Sequence, residues 1–125
     1  GKAILAELSD AERDAALAEM VLAPWTTRTI VEREPLLADL ALARERGWAL
    51  EDGEFHEARR SIGAAVRDHT GAVVAAVGVG TTPSDLPDEA LAEAAEAVVE
   101  AAAEVSGRLG AGTLPDLPPW RPVVE

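Results

Sequence analysis

Cysteine is absent from this chain, and with it go a disulfide framework, a thiolate nucleophile and any cysteine-based metal site. That composition fits a cytoplasmic protein. Long apolar runs are missing too. Hydrophobic residues make up 48% of the sequence, yet no run approaches the ~20 residues of a membrane span. No charged start leads into an apolar run and a cleavage site, so there is no signal-peptide pattern, and no membrane is expected among the partners. Basic residues are scarce: 11 Lys and Arg stand against 23 Asp and Glu, for a net charge of −12. A nucleic-acid binder needs a basic face that displaces counterions from phosphate. This chain has no such excess, so it is not expected to bind DNA or RNA by itself.

Catalytic motifs are equally sparse. His56-Glu57 begins like a zinc-binding HExxH helix, but Arg60 stands where the second histidine ligand would be. His69 reads as a polar turn residue. Ser61 has no histidine at a motif spacing, so no serine nucleophile is supported. No Gly-rich loop has phosphate-binding spacing. No catalytic residue, metal site or cofactor is therefore assigned. Glu51, Asp52 and Glu54 gather in one short stretch, where carboxylates serve acid–base chemistry or, more ordinarily, a solvated strand end. Arg59 and Arg60 are suited to an anionic ligand, but strand alternation points them to opposite faces, so at most one serves a given site.

What is present is a tight β-hairpin over 60–80. Its arms are Arg60–Arg67 and Ala72–Gly80, both rich in apolar and β-branched residues, with Asp68-His69-Thr70-Gly71 between them. A turn centred on Thr70-Gly71 sets Ile62 against Val79, Ala64 against Val77 and Val66 against Ala75. The opposite face then pairs Ser61 with Gly80, Gly63 with Gly78, and Ala65 with Ala76. One face is an ordinary core face. The other is nearly stripped of side chains, and a bare sheet face admits either a packed helix or a small ligand.

Around the hairpin the pattern predicts helices. Residues 1–8 are apolar and suit a helix or a strand. Ser9-Asp10-Ala11-Glu12 is a capping box that opens a helix to Met20. Thr26–Val31 is β-prone and predicts a short strand or an extended connector. Pro35 suits a first helical turn and Gly47 a left-handed C-terminal cap. Trp48–Glu54 reads as a strand. After the breaker Thr82–Pro87, a long helix runs from Asp88 to Leu109, with Leu91, Ala95, Val98, Ala102, Val105 and Leu109 as its apolar stripe. Residues 111–125 hold four prolines and predict an extended or disordered tail. The expectation is an α+β fold: an antiparallel sheet built around the 48–80 strands, with helices packed on the core face, over residues 1–110.

Four stretches in order carry a resemblance. GKAILAEL resembles GKAxLA; Thr26-Thr27-Arg28-Thr29-Ile30 resembles TxRTI; LLADLALARERGWALEDGE resembles LxxELxxVRxxGYAxDDEE; and Ser61–Asp68 with Gly71–Val77 resembles CIAAPVRDxxGxVVAALSVSG. The set is similar to the C-terminal part of the effector-binding domain of IclR-family transcriptional regulators, from about Gly1 to Gly110. The resemblance implies a GAF-like, partial domain that binds a small-molecule metabolite effector and mediates homo-oligomer assembly. It also implies that the winged helix-turn-helix contacting operator DNA is not in this chain. The sequence has no start Met, in keeping with a fragment. The family's pocket residues carry over onto Glu51, with Asp52 beside it, and onto Ser61, which replaces the motif cysteine. The two motif serines fall on Gly78 and Gly80, which removes two hydroxyls, enlarges the site and favours a bulkier, less polar ligand.

Two rival readings remain: an enzyme using Glu51, Asp52 or Glu54 as acid or base, and a pure assembly module whose bare face only packs a helix. If part of the parent sheet is absent, the remaining strands expose an edge, and unpaired edges template association. Light scattering at micromolar concentration is expected to give a dimer or larger; a 13.0 kDa monomer would contradict this.

Overall fold

The computed structural model describes residues 1–111. Helices α1 (Lys2–Glu7), α2 (Asp10–Glu19) and α3 (Arg33–Arg46) precede strands β1 (Ala49–Asp52), β2 (Arg60–Arg67) and β3 (Val73–Thr81). A 3-10 turn (Asp88–Ala90) then leads into helix α4 (Leu91–Arg108). The strands form one antiparallel sheet in the order β1-β2-β3. Among the described residues, no helix is long and apolar enough to cross a membrane.

Local chemistry accounts for the boundaries. The Ser9 hydroxyl accepts from the Glu12 N–H and donates to the Glu12 carboxylate, capping α2. Pro35 lies in the first turn of α3, where its missing N–H costs nothing. Gly47 ends that helix with φ 87°, and its N–H donates to the Ala43 carbonyl at 2.8 Å. The hairpin turn also needs its glycine. Gly71 has φ 83°, its N–H donates to the Asp68 carbonyl, and the Asp68 N–H donates to Ala72.

The hairpin register is as expected from the sequence: Ser61 faces Gly80, Ile62 faces Val79, Gly63 faces Gly78 and Ala64 faces Val77, with a bulge at Val66/Arg67. Strand β1 extends this order, pairing Ala49 with Gly63, Leu50 with Ile62, Glu51 with Ser61 and Asp52 with Arg60. Each face of the sheet therefore carries a continuous set of side chains.

The face of Ile62, Ala64 and Val66 packs against Ala95, Val98 and Ala102 of α4 and against Leu86. Alanines on the helix let it approach closely. The Ser106 hydroxyl accepts from the Arg67 N–H at 3.0 Å, tying the last helical turns to the sheet. The apolar stripe of α4 is buried only in this middle stretch. Val105 and Leu109 are exposed. On the small-residue face, α1 and α3 form a second cluster of Ala3, Ala6, Leu36, Leu40 and Ala43 with Ala49 of β1. There α1 rests on the bare strand: a Cβ at Gly63 would sit 3.5 Å from the Ala3 Cβ. The helix layer on the core face is thus α4, and α1 adds a second contact on the opposite face.

Two segments differ from the sequence pattern. Thr26–Val31, expected as a short strand or an extended connector, forms no strand and turns at Thr27-Arg28, because the threonines spend their hydroxyls on backbone. Thr29 Oγ1 accepts from the Thr26 N–H and donates to the Glu54 carbonyl, while Thr26 Oγ1 accepts from the Arg28 N–H and donates to Gly53. β1 stops at Asp52, short of Glu54, because Gly53 (φ 68°) turns the chain. The long C-terminal helix begins with a 3-10 turn and stops at Arg108, within a residue of expectation. Of the expected tail only Ala111 is described; 112–125 lie outside the described residues.

Ile62 is 1% exposed and Val79, its neighbour across the hairpin, is 47% exposed. Ile62→Ala should therefore cost about 2–5 kcal/mol through lost burial and a residual cavity. Val79→Ala should cost about 1 kcal/mol or less. Urea denaturation of the two variants checks the contrast; equal costs would contradict this placement of the core.

Candidate functional site

The small-residue face is covered only in part. Helix α1 lies over its Gly63 end, and beyond it opens a cavity of about 630 Å³. The floor is backbone and short side chains: Ser61 and Gly63 of β2, with Ala76, Gly78 and Gly80 of β3. The walls come from α1, the 20–30 segment and the 51–59 bend. The bare face thus carries a helix at one end and open space at the other.

Glu51 is the organising carboxylate. Its Oε1 accepts from the backbone N–H groups of Glu54 (2.8 Å) and Phe55 (3.1 Å), and its Oε2 accepts from the Ser61 hydroxyl at 3.1 Å. These bonds fix the bend after β1 and orient Ser61 along the floor. A carboxylate has about four lone-pair sites, so Glu51 retains acceptor capacity for a ligand donor.

The five residues singled out in the sequence divide by strand parity. Glu51, Ser61, Gly78 and Gly80 all line the cavity. Asp52 does not. As the neighbour of Glu51 on a strand it turns to the opposite face, where Arg60 Nε and Nη2 grip its two oxygens at 3.2 and 3.1 Å. Arg28 adds a 3.2 Å contact. Arg60 also donates to the Leu86 carbonyl and to Asp88, joining the sheet to the start of the C-terminal helix. Hydrogen bonds from Arg60, helped by the charges of Arg60, Arg28 and Lys2, hold the Asp52 carboxyl below its ordinary value of 3.8, against the opposing effect of burial. Asp52 and Asp88 in turn raise the pKa of Arg60.

The glycines of the floor are not equivalent. A Cβ on Gly78 would lie 3.0 Å from the Ile62 carbonyl oxygen, a backbone atom that cannot step aside cheaply. A Cβ on Gly80 would meet instead the Arg59 guanidinium, at 2.9 Å from Nη2. Arg59 lines the cavity, while Arg60 is engaged on the other face, as the alternation argument required.

Two features of the site were not singled out in the sequence. The first is Lys2, whose Nζ donates to Asp39 and Glu54, both at 2.7 Å, and to the Leu50 carbonyl. It joins α1, α3, β1 and the following bend; the available signal was that it is the chain's single lysine, within the GKA stretch. The second is an aromatic pair at the rim, Trp25 and Phe55, with ring centroids 5.6 Å apart and 68% and 67% exposed. Thirty residues separate them, and no local pattern joins them.

Fold and site together define an α+β domain with a cavity of small-molecule size on one sheet face. The family model described as bacterial transcriptional regulator IclR C-terminal matches residues 1–107, and the chain belongs to that family. It is 34% identical to the HTH-type transcriptional regulator XynR of Escherichia coli over 110 residues, covering 88% of this chain and 44% of that protein. Among solved structures it is similar to the Agrobacterium tumefaciens repressor BlcR, with TM-score 0.80 and 32% identity over 87% of this chain and 44% of that one. Thermotoga maritima IclR gives TM-score 0.83 and 30% identity with the same two coverages. The chain thus spans under half the length of these relatives.

Because folding lowers the Asp52 pKa, its stabilising effect is complete above 3.8 and is lost as pH falls through the depressed folded value. The stability gap between wild type and Asp52→Asn is therefore expected to be widest near neutrality and to close below about pH 4. Denaturant titrations at stepped pH measure it; a gap independent of pH would contradict the Arg60 pairing.

Proposed function

We propose that this chain is the effector-binding part of a transcriptional regulator and that the cavity over Ser61, Gly78 and Gly80 receives a small-molecule metabolite. The observation that carries this reading is the open floor beyond α1, in a chain of the IclR C-terminal family. Glu51 and Ser61 supply the polar contacts, and the glycines let the ligand lie against backbone. Binding shifts a conformational equilibrium rather than driving a reaction. In support of a role other than catalysis, each candidate carboxylate is already engaged: Asp52 by Arg60, Glu54 by Lys2, and Glu51 by backbone and Ser61. The whole protein would act in the cytoplasm, as a homo-oligomer, contacting operator DNA through a domain outside this chain.

A thermal-shift screen of the protein against a metabolite library tests the reading. A ligand at a hundredfold excess over its Kd should stabilise the fold by about 2.7 kcal/mol. Ala76→Leu, which grows a side chain into the cavity from an ordinary strand position, should abolish the shift. Failure of every library compound to raise Tm, or an undiminished shift in Ala76→Leu, would overturn it.

A further inference from the structure

We propose that the aromatic rim of the cavity is a docking surface for the chain's own C-terminal segment, 112–125, which lays Trp120 against the Trp25–Phe55 pair and covers the cavity mouth.

The rim is shaped to be covered. Trp25 and Phe55 are 68% and 67% exposed, with ring centroids 5.6 Å apart. Met20, also exposed, and Leu22 line the cavity beside them. The two loops that carry the rings are tied together by the Thr26 and Thr29 hydroxyls, which donate to the Gly53 and Glu54 carbonyls. The rings therefore stand in place before anything docks. Large apolar side chains gathered at one exposed site mark an interaction surface.

The chemistry of segment 112–125 fits that surface. It reads GTLPDLPPWRPVVE, with the PxxP spacing twice, from Pro115 to Pro118 and from Pro119 to Pro122. That spacing favours the polyproline II helix, which docks in aromatic-lined grooves at little entropic cost. The family match ends at residue 107, so the segment lies outside the matched part of the chain.

The length fits as well. The Ser106 hydroxyl on the Arg67 N–H sets the end of α4 at the hairpin-turn end of β2. Gly110, at φ 90°, and the Ala111 N–H on the Ser106 carbonyl turn the chain out of the helix axis there. The open part of the floor lies at the Ser61 end of the same strand, about 20 Å away, on the other face. Crossing from the helix layer to that face adds about 10 Å. In polyproline II the residues from 112 to 120 span about 28 Å, which brings Trp120 to the rim.

Charge and tethering favour this occupant over a second copy. The bend carries Glu51, Asp52, Glu54 and Glu57, and Arg121 beside Trp120 supplies a charge of the opposite sign. A second copy brings a chain of net charge −12 to the same carboxylates. A short tether also holds the segment at an effective concentration of about millimolar. On the effector-binding reading, the docked segment competes with a ligand for the cavity mouth; docking itself does not depend on that reading.

Paramagnetic labelling of the full chain tests the proposal. The sequence has no cysteine, so Val124→Cys carries a single nitroxide. Relative to the reduced label, the nitroxide should broaden amides of 20–30 and 53–57 and spare those in the middle of α4. The rim broadening should be lost in Trp120→Ala and in Phe55→Ala, with thermal melts establishing that each variant is folded. A mixture of nitrogen-15 chains without the label and nitroxide chains without the isotope should show no broadening. Broadening confined to the last turns of α4, or a rim profile that survives both substitutions, would overturn the proposal. Rim broadening in the mixture would overturn it too, in favour of capture by a second copy. A metabolite library without a hit removes the effector-binding reading and leaves the labelling result as it is.

Discussion

Everything in this domain depends on alternation along β2, its central strand. Ile62, Ala64 and Val66 go to the α4 side, and Ser61 and Gly63 go to the other, because successive residues of an extended chain point in opposite directions. A slip of one residue would carry the core set into the cavity and leave the helix facing glycine. The pairing with β1 and β3 locks that choice from both edges. Arg60 then serves the structural ion pairs with Asp52 and Asp88, while Arg59 and Ser61 are left to the cavity. The division of labour between adjacent arginines is a direct result of backbone geometry.

Lys2 is the second fixed point. Its side chain is largely enclosed, and three oxygens from α3, β1 and the bend converge on its one ammonium. Enclosed carboxylates deprived of their partner are costly, so Asp39 and Glu54 are stable where they are only while Lys2 is in place. This knot fixes α1 over Gly63 and thereby determines where the helix stops covering the floor and the open space begins. Helix position and cavity size are set by the same ion pairs.

Much of this was legible in the sequence, for identifiable reasons. The register of β2 and β3 followed from matching bulky with bulky and bare with bare. The ends of α2 and α3 followed from Ser9 and Gly47, whose chemistry is local. The α+β class and the GAF-like, partial domain stand with the family match and the similar solved structures. Where the reading fell short, the deciding contact was distant. Thr26 and Thr29 have strand propensity, but carbonyls at Gly53 and Glu54 claimed their hydroxyls. Asp52 adjoins Glu51 in sequence and so was grouped with it, yet Arg60 holds it on the far face. Trp25 and Phe55 meet only because the two loops are stitched together by those same threonines.

The bare floor has a consequence for how such a domain diversifies. In this chain the floor is backbone and short side chains, and a Cβ at Gly78 would press on the Ile62 carbonyl at 3.0 Å, so a larger residue there requires the neighbouring strand to shift. The rim, Met20–Ile30 and Phe55–Arg59, differs from the floor: its side chains are largely exposed or half-buried and most carry little of the folding energy. Apart from Leu22 and Ile30, which pack on the cluster under α1 and α3, substitutions there change the cavity lining without touching the two apolar clusters that hold the protein folded. The lining of the cavity can therefore change at the exposed part of its rim at little cost to the fold.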